Sequence, residues 1–395
     1  MAYLNTFQPD VESFSSDLAG SIRTTNKIVL ANYKSLNYSN SRLINSVGTG
    51  TDTLTNNIQS MAVTSGQFRI RQSRLFHPYF PGNTQLSEIT FRNFQRETGV
   101  IKRVGYYSSS ITTPFDTVFD GVFLESNGVG NTYSLNIYNQ GSLIASIPST
   151  SWNNYRLVEN YDWSKFTVIG LDFLWLGGVG LRFFMVVNGR FELIHSYAHA
   201  GIVSSLIMKS PNQPIRYEIR GVSGAGSFDP ICSVVSSEGF VNPSDGYSYE
   251  IKTGLAGVSM ASNAVSYPLL MFRRKAACRD NSVEMVKYFA YSKTNTNTEV
   301  SVVINPTITG TPTWVDAPDS CLQYAIGNGS TIQATGGYSV DSSTITQRAE
   351  SFKTSSELLY RFLQNVDGTN DVIALVGRAD ANSTVVATGA KFLEA

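Results

Sequence analysis

The sequence predicts an all-β protein: an antiparallel, jelly-roll-like β-sandwich body, a second smaller β-sandwich domain, and an N-terminal arm ahead of both. Three observations carry this. Short runs rich in Val, Ile, Phe and Tyr recur at intervals of roughly ten residues over most of the 395-residue chain. Asn-Gly and Gly-Gly pairs separate several of them, as tight hairpins require. Between the runs lie turn formers and no long helical period, so two packed sheets are the natural closure.

Residues 1–60 read as a polar leader. Val11, Phe14, Leu18 and Ile22 recur at spacings of three and four, one stripe of an amphipathic helix. The apolar cluster at 28–31 follows, and then SLNYSNSRLINSVGTGTDTLTNN, whose many turn formers and lack of period predict an extended arm or linker. Whether such a leader reaches a neighbouring subunit or folds back on its own domain stays open.

Residues 61–240 form the predicted main sandwich. Its clearest part is FTVIGLDFLWLGGVGLRFFMVVNGRFELIHSY (166–197), where Gly177-Gly178 and Asn188-Gly189 separate three apolar runs. This predicts a three-stranded meander, apolar on both faces and placed at the centre of a sheet. Further strands are expected at 100–107, 121–125, 132–138, 142–147, 215–220 and 231–236. After the turn cluster Asn242-Pro243-Ser244-Asp245-Gly246 the pattern restarts. Residues 241–395 then form the second domain, with strands at YSYEIK, YPLLMFR, EMVKYFAYS, TEVSVVI, STIQATGGYS, DVIALVGRA and STVVAT; ELLYRF (357–362) reads as a helical turn.

Composition narrows the function. Lys and Arg number 30 against 30 Asp and Glu, and no segment is strongly basic, which argues against nucleic acid as the main partner. Charged residues are 15% of the chain, below the roughly 25% of a typical soluble domain, while aromatics reach 12%. A weakly charged surface rich in Tyr and polar amides favours self-association. The start MAYLNTFQPDVESF lacks a basic n-region and apolar h-region, and no run approaches 18 apolar residues, so neither Sec export nor a membrane anchor is expected.

The chemistry-bearing residues are sparse. His195 and His199 are four apart on a strand end, which places them ~13 Å apart along it rather than together as metal ligands. His77, between aromatics and prolines, reads as a packed or interface side chain. The strand carboxylates Asp172, Glu192 and Glu218 read as structural; Asp172 needs a cationic partner if buried, with Arg182 or Arg216 available. Trp152, Trp163 and Trp175 read as core rings, with a sugar-stacking platform as the competing role. The basic clusters RIRQSR (69–74) and FRRKAACR (272–279) read as interface or solvated arginines. Cys232, Cys278 and Cys321 have no CxxC spacing and are expected as buried free thiols. DAPDS (316–320) and NVDGTND (365–371), with Asp367, Asn370 and Asp371, offer some oxygens for Ca²⁺ but no glutamate closes the loop; a turn explains the second equally well. No nucleophile elbow or phosphate loop is present.

In order along the chain, RQSRLFHPYFPGNTQL, RVGYY, DGVFLE, SWN, DFLWLG, LRFFMVVNG, SPNQPIRYEIR, ICSVVSSEG, STIQATGGYS and NDVIALVGRADANSTVVATGAKFLEA resemble a diffuse family of virion structural proteins of tailed bacteriophages from marine and gut phages. The resemblance spans roughly residues 65–395. It implies non-enzymatic virion architecture, as a fibre, collar, tail or minor capsid protein, and carries over no catalytic residue. The expectation is therefore a multi-copy structural component located in the virion, and in the host cytoplasm during assembly. Its partners would be copies of itself and other virion proteins, without nucleic acid, membrane, cofactor or metal, and with no catalytic, cofactor-binding or metal-site residues. The alternative is a receptor-recognition adhesin gripping host surface glycan; a glycan-degrading enzyme ranks third.

Overall fold

In the computed structural model, which describes residues 27–34, 43–111, 118–175, 180–238, 246–346, 350–354 and 360–394, strands alternate with turns and three single-turn 3-10 helices throughout. The chain divides into two units, Met1–Asn242 and Pro243–Ala395.

The first unit opens with β1 (Ile28–Lys34), β2 (Ile44–Gly48), β3 (Thr51–Thr55), β4 (Ile58–Val63) and β5 (Phe68–Ser73). There follow β6 (Gln85–Arg92), β7 (Val100–Ser108), β8 (Asp120–Asn127), β9 (Thr132–Asn139) and β10 (Ser142–Pro148). It closes with β11 (Thr167–Leu174), β12 (Gly180–Val187), β13 (Arg190–Ala198), β14 (Ile215–Gly221) and β15 (Gly226–Ser237). One sheet has the order β13-β12-β11-β6-β15-β4-β3, with β1 also on β15; the other is β10-β9-β8-β7-β14-β5-β2. The chain passes between the sheets at eight connections, including β6–β7 and β10–β11, the crossing pattern of a jelly-roll-like sandwich.

Strand periodicity places the core between these sheets. Ile89, Phe91, Ile169, Leu171, Phe173, Phe183 and Met185 point inward from the first sheet. Val104, Tyr106, Val122, Leu124, Leu135, Ile137, Ile215 and Ile219 meet them from the second. On the opposite face of β7 and β14, Gly105, Tyr107, Arg216 and Glu218 are buried too. Arg216 and Glu218 are ion-paired, Arg103 bridges Glu218 at 3.3 Å and Glu125 at 2.7 Å, and Arg216 donates to Gln72 Oε1 at 2.8 Å. Buried charge is tolerated only where paired and hydrogen-bonded like this. Burial opposes the charge on Arg103, but Glu218 and Glu125 outweigh it and raise its pKa.

The second unit contains β16 (Tyr247–Lys252), β17 (Val258–Met260), β18 (Tyr267–Arg274), β19 (Val283–Ser292), β20 (Thr298–Ile304), β21 (Thr307–Thr309) and β22 (Val315–Asp316). Then come β23 (Leu322–Ile326), β24 (Gln333–Thr335), β25 (Tyr338–Ile345), β26 (Glu350–Thr354), β27 (Tyr360–Arg361), β28 (Val372–Ala379) and β29 (Thr384–Glu394). Its sheets are β16-β29-β19-β26, with β17 on β29 and β27 on β19, and β22-β23-β18-β28-β20-β25. Leu270, Phe272, Met285, Val300, Val302, Leu375 and Phe392 are among the side chains that fill the space between them.

The all-β, antiparallel architecture agrees with the sequence reading; several details do not. Among residues 1–60, expected as arm and linker, β1 lies along β15, and residues 44–63 form β2, β3 and β4. Asn56 and Asn57 both take positive φ, 51° and 63°, and turn β3 into β4. Asn tolerates that conformation, so the polar alternation TDTLT was a half-exposed hairpin strand and not a linker. The amphipathic stripe at 11–22 lies outside the described residues. The 166–197 meander exists, with Asn188 (φ 52°) and Gly189 (φ 79°) turning β12 into β13 as expected, but it ends the sheet: β13 is the edge strand and β11 pairs with β6. Its two-sided apolar character marks β11 and β12, which have neighbours on both sides. Gly177-Gly178 lies outside the described residues. Tyr360 and Arg361, expected in a helical turn, pair with β19 instead. Cys278 and Cys321, expected as free thiols, form a disulfide with Cα atoms 5.6 Å apart, while Cys232 is free and exposed. Spacing in sequence gave no sign of it because the two cysteines, 43 residues apart, meet only when β18 and β23 pair.

Candidate functional site

One cleft of the first unit combines rings with polar groups. It lies where three connections converge: the β6–β7 turn (93–99), the start of β9, and the long β10–β11 connection (149–166). That connection, SWNNYRLVENYDWSKF from 151 on, has no strand period. It is shaped by two 3-10 turns, Ser149–Ser151 and Tyr155–Leu157, and fastened to the edge of β13. Asn154 Nδ2 donates to Leu193 O at 2.7 Å, and Asn153 Oδ1 accepts from Ser196 N at 2.8 Å. Asn153 N–H donates to His195 Nδ1 at 3.3 Å, which puts the neutral imidazole's proton on Nε2. Burial lowers the pKa of His195, holding it neutral. On the other side Phe94 N donates to Trp163 O at 2.8 Å, and buried Lys102 Nζ donates to Asn93 O and Gln95 O, fixing the β6–β7 turn.

The cleft wall is a ring stack. Tyr133 stacks on Trp163 with centroids 4.8 Å apart, Tyr161 meets the Trp163 edge at 5.0 Å, and the Arg96 guanidinium covers Tyr133 at 4.9 Å. Trp152 and Trp163 are 3% and 7% exposed and form the back of the wall, whereas Tyr155 and Tyr161 are half-buried and reach the cleft. Burial raises the pKa of Tyr133 and of Tyr161, so both phenols remain neutral hydroxyls. Arg96, Asn131, Thr132, Thr150, Glu159 and Asp162 are exposed around a volume of about 380 Å³. This sits at the small end of the ~300–1,000 Å³ range of ligand pockets. Asp162 accepts the Ser164 hydroxyl and N–H, which hold its carboxyl below the usual range.

The residues singled out in the sequence are spread over both units. His77 is fully buried, its Nδ1 2.8 Å from Gln213 O and its Nε2 2.9 Å from Tyr33 Oη. His199 contacts Ser205 O through Nε2. Each histidine has its own hydrogen-bond partners, and among the described residues no group of three His, Cys, Asp or Glu is arranged to hold a metal. Asp172 pairs with Arg182, while Arg216 goes to Glu218; Glu192 lies on the edge strand β13. Trp152 and Trp163 line the cleft; Trp175, outside it, donates from Nε1 to Met208 O at 3.1 Å. RIRQSR supplies most of β5, where Arg69 pairs with Asp52 at 2.6 Å. In FRRKAACR, Arg273 covers Trp314 at 4.2 Å, Arg274 is buried and donates to Asn281 O, and Lys275 pairs with Asp316 at 3.4 Å. NVDGTND is a turn whose polar side chains are engaged within it and by its neighbours: Asp367 Oδ1 accepts from Thr369 N, Asn370 Oδ1 from Gln364, and Asp371 Oδ1 from Asn305.

Sequence reasoning missed Arg96, Tyr133, Tyr155 and Tyr161. For Tyr155 and Tyr161 the available signal was the density of Asn, Tyr and Trp in a connection with neither strand nor helix period; Arg96, in the β6–β7 turn, and Tyr133, on β9, carried none.

No family model and no curated protein matches the chain. Among solved structures, the lumenal domain of VIP36 with Ca²⁺ and Man3GlcNAc is similar at 11% identity and TM-score 0.36, covering 55% of this chain and 92% of that one. The Bacillus licheniformis β-glucanase is similar at 11% identity and TM-score 0.35, over 55% of this chain and 100% of that one. A legume lectin-like domain from Entamoeba histolytica is similar at 12% identity and TM-score 0.31, over 48% and 89%. At such TM-scores these likenesses assign nothing to the cleft.

Proposed function

We propose that the protein is a non-catalytic carbohydrate-binding protein whose first unit grips a glycan in the Tyr155–Tyr161 cleft. In the virion setting implied by the sequence resemblance, this is a receptor-recognition role on host surface polysaccharide. The observation that carries the reading is the pairing, in one cleft, of half-exposed tyrosine rings with amide, hydroxyl, carboxylate and guanidinium groups. A sugar has an apolar C–H face and a rim of hydroxyls that both donate and accept. A ring platform beside mixed donors and acceptors complements both.

Titration of the full chain against a panel of neutral and bacterial-surface glycans, read by calorimetry, tests this. Saturable binding that weakens about tenfold or more in Tyr155→Ala and Tyr161→Ala is expected. An absence of saturable binding across the panel, or binding indifferent to both substitutions, would overturn it.

Multi-copy assembly is the second reading, favoured by the apolar side chains exposed between β13 and β14: Ile202 is 72% exposed, with Val203 and Leu206 beside it in the same connection. Native mass spectrometry showing a closed oligomer that dissociates in Ile202→Asp supports it; a monomer at micromolar concentration, alone and with virion partners, speaks against it.

A further inference from the structure

The disulfide of the second unit joins two chain positions that hydrogen bonds already hold. Cys278 ends the single 3-10 turn Ala276–Cys278, just past β18, and Cys321 stands directly before β23. The last ladder pair of those strands, Arg274 with Leu322, brings the two ends together. Beyond that pair the Cys321 carbonyl accepts from Lys275 N at 2.7 Å, and both Glu394 carboxylate oxygens accept from Cys321 N at 3.0 Å. On the other side Cys278 N donates to Lys275 O at 3.1 Å, and Cys278 O accepts from Asn281 N at 3.2 Å. The buried Arg274 closes this turn by donating from Nη1 to Asn281 O at 2.9 Å. None of these contacts uses a sulfur. Both backbones therefore keep their places when the sulfurs are thiols, with Cα atoms at the 5.6 Å that a disulfide spans.

We infer that Cys278 and Cys321 form a redox-conditional clamp: the second unit holds this fold as the dithiol and is sealed afterwards by a small-molecule disulfide such as oxidised glutathione. Exposure sets the order of attack. Cys278 is half-buried beside the exposed Ala276 and Ala277, whereas Cys321 is 7% exposed. The Cys278 thiolate attacks one sulfur of glutathione disulfide, which gives a mixed disulfide and releases one glutathione thiolate to take up the proton Cys278 lost. The Cys321 thiolate then attacks Cys278 Sγ; the bond to glutathione breaks, and the second glutathione thiolate leaves and takes the Cys321 proton. Two protein thiols are oxidised and one glutathione disulfide is reduced to two thiols. A reducing cytosol keeps such pairs open and an oxidising medium keeps them closed, so the unit is locked on leaving a reducing compartment. The free Cys232 of the first unit has no second thiol to resolve its adduct and stops at the mixed disulfide. The clamp is separate from the first-unit cleft and does not depend on it.

Hydrogen exchange of the full chain, oxidised and then reduced with a phosphine, is the first test. Amides of β18, β23 and β29 should stay protected in the reduced chain, while the urea midpoint of those segments falls by about 1 M or more. Glutathione titration with peptide mapping is the second. The effective concentration of the Cys321 thiol toward Cys278 should be about tenfold or more higher in the folded chain than in urea. Folded Cys321→Ser should hold a glutathione adduct on Cys278, and folded Cys278→Ser should leave Cys321 unmodified. Loss of protection over β18 and β23 on reduction or in Cys321→Ser, an unchanged urea midpoint, equal effective concentrations, or an adduct formed first on Cys321 would overturn the inference.

Discussion

Asp172 and Arg182 stand opposite each other on β11 and β12, with Arg182 Nε 2.8 Å from Asp172 Oδ2 and both side chains almost wholly buried. A buried pair of this kind contributes little net stability over an apolar pair, because desolvation offsets the attraction, but removing one partner strands a charge. Arg182→Met should therefore destabilise the first unit by about 3–5 kcal/mol, and the further change Asp172→Leu should recover much of the loss. Urea unfolding of the two variants checks this; equal stability of the single variant and the parent would show the pair to be solvated.

Phe183 is fully buried and meets Trp152 edge-on with centroids 5.2 Å apart, whereas Trp175 is half-buried. Phe183→Ala should cost about 3–5 kcal/mol through lost burial and the cavity left behind. Trp175→Ala should cost clearly less. Thermal unfolding that ranks them the other way would contradict the packing described.

Lys102 is fully buried, and burial pulls its pKa down to about 8 against the opposing pull of Glu97, 3.3 Å away. In the unfolded chain the same group titrates near its ordinary value of about 10.4. As pH falls through that value the unfolded chain gains a proton that the folded one does not, so stability falls from about pH 10 to pH 8 and is level below. The shift corresponds to about 3 kcal/mol. Lys102→Met should flatten that part of the stability profile relative to the parent, measured by urea unfolding at several pH values. Because Lys102 holds Asn93 O and Gln95 O, the substitution should also weaken the glycan binding proposed for the first-unit cleft.

The Cys278–Cys321 bond closes a 43-residue separation. Loop-closure entropy gives such a crosslink about 2–4 kcal/mol. Cys278→Ser should lower the stability of the second unit by that order and leave the first unit unchanged. Thiol titration of the denatured, unreduced chain should find one free thiol, Cys232, of the three cysteines. Three free thiols would refute the pairing.

What the sequence determined by itself was local: where strands run and where they turn. Asn188-Gly189 turned a hairpin because both positions need positive φ, and the alternation in VIKRVGYY made β7, with one residue set in the core. It also showed that Asp172 needs a cation, and left two arginines open. Tertiary structure chose Arg182, because hairpin register sets it directly opposite, and gave Arg216 to Glu218. The same holds for the proposed binding cleft and for the crosslink. Arg96, Tyr133, Tyr155 and Tyr161 share a cleft only after three connections converge at one end of a sandwich, and Cys278 meets Cys321 only once β18 and β23 pair. Backbone preference and side-chain period act over a few neighbouring residues. Strand order and register bring together residues tens of positions apart, and a one-residue slip would turn each side chain to the other face.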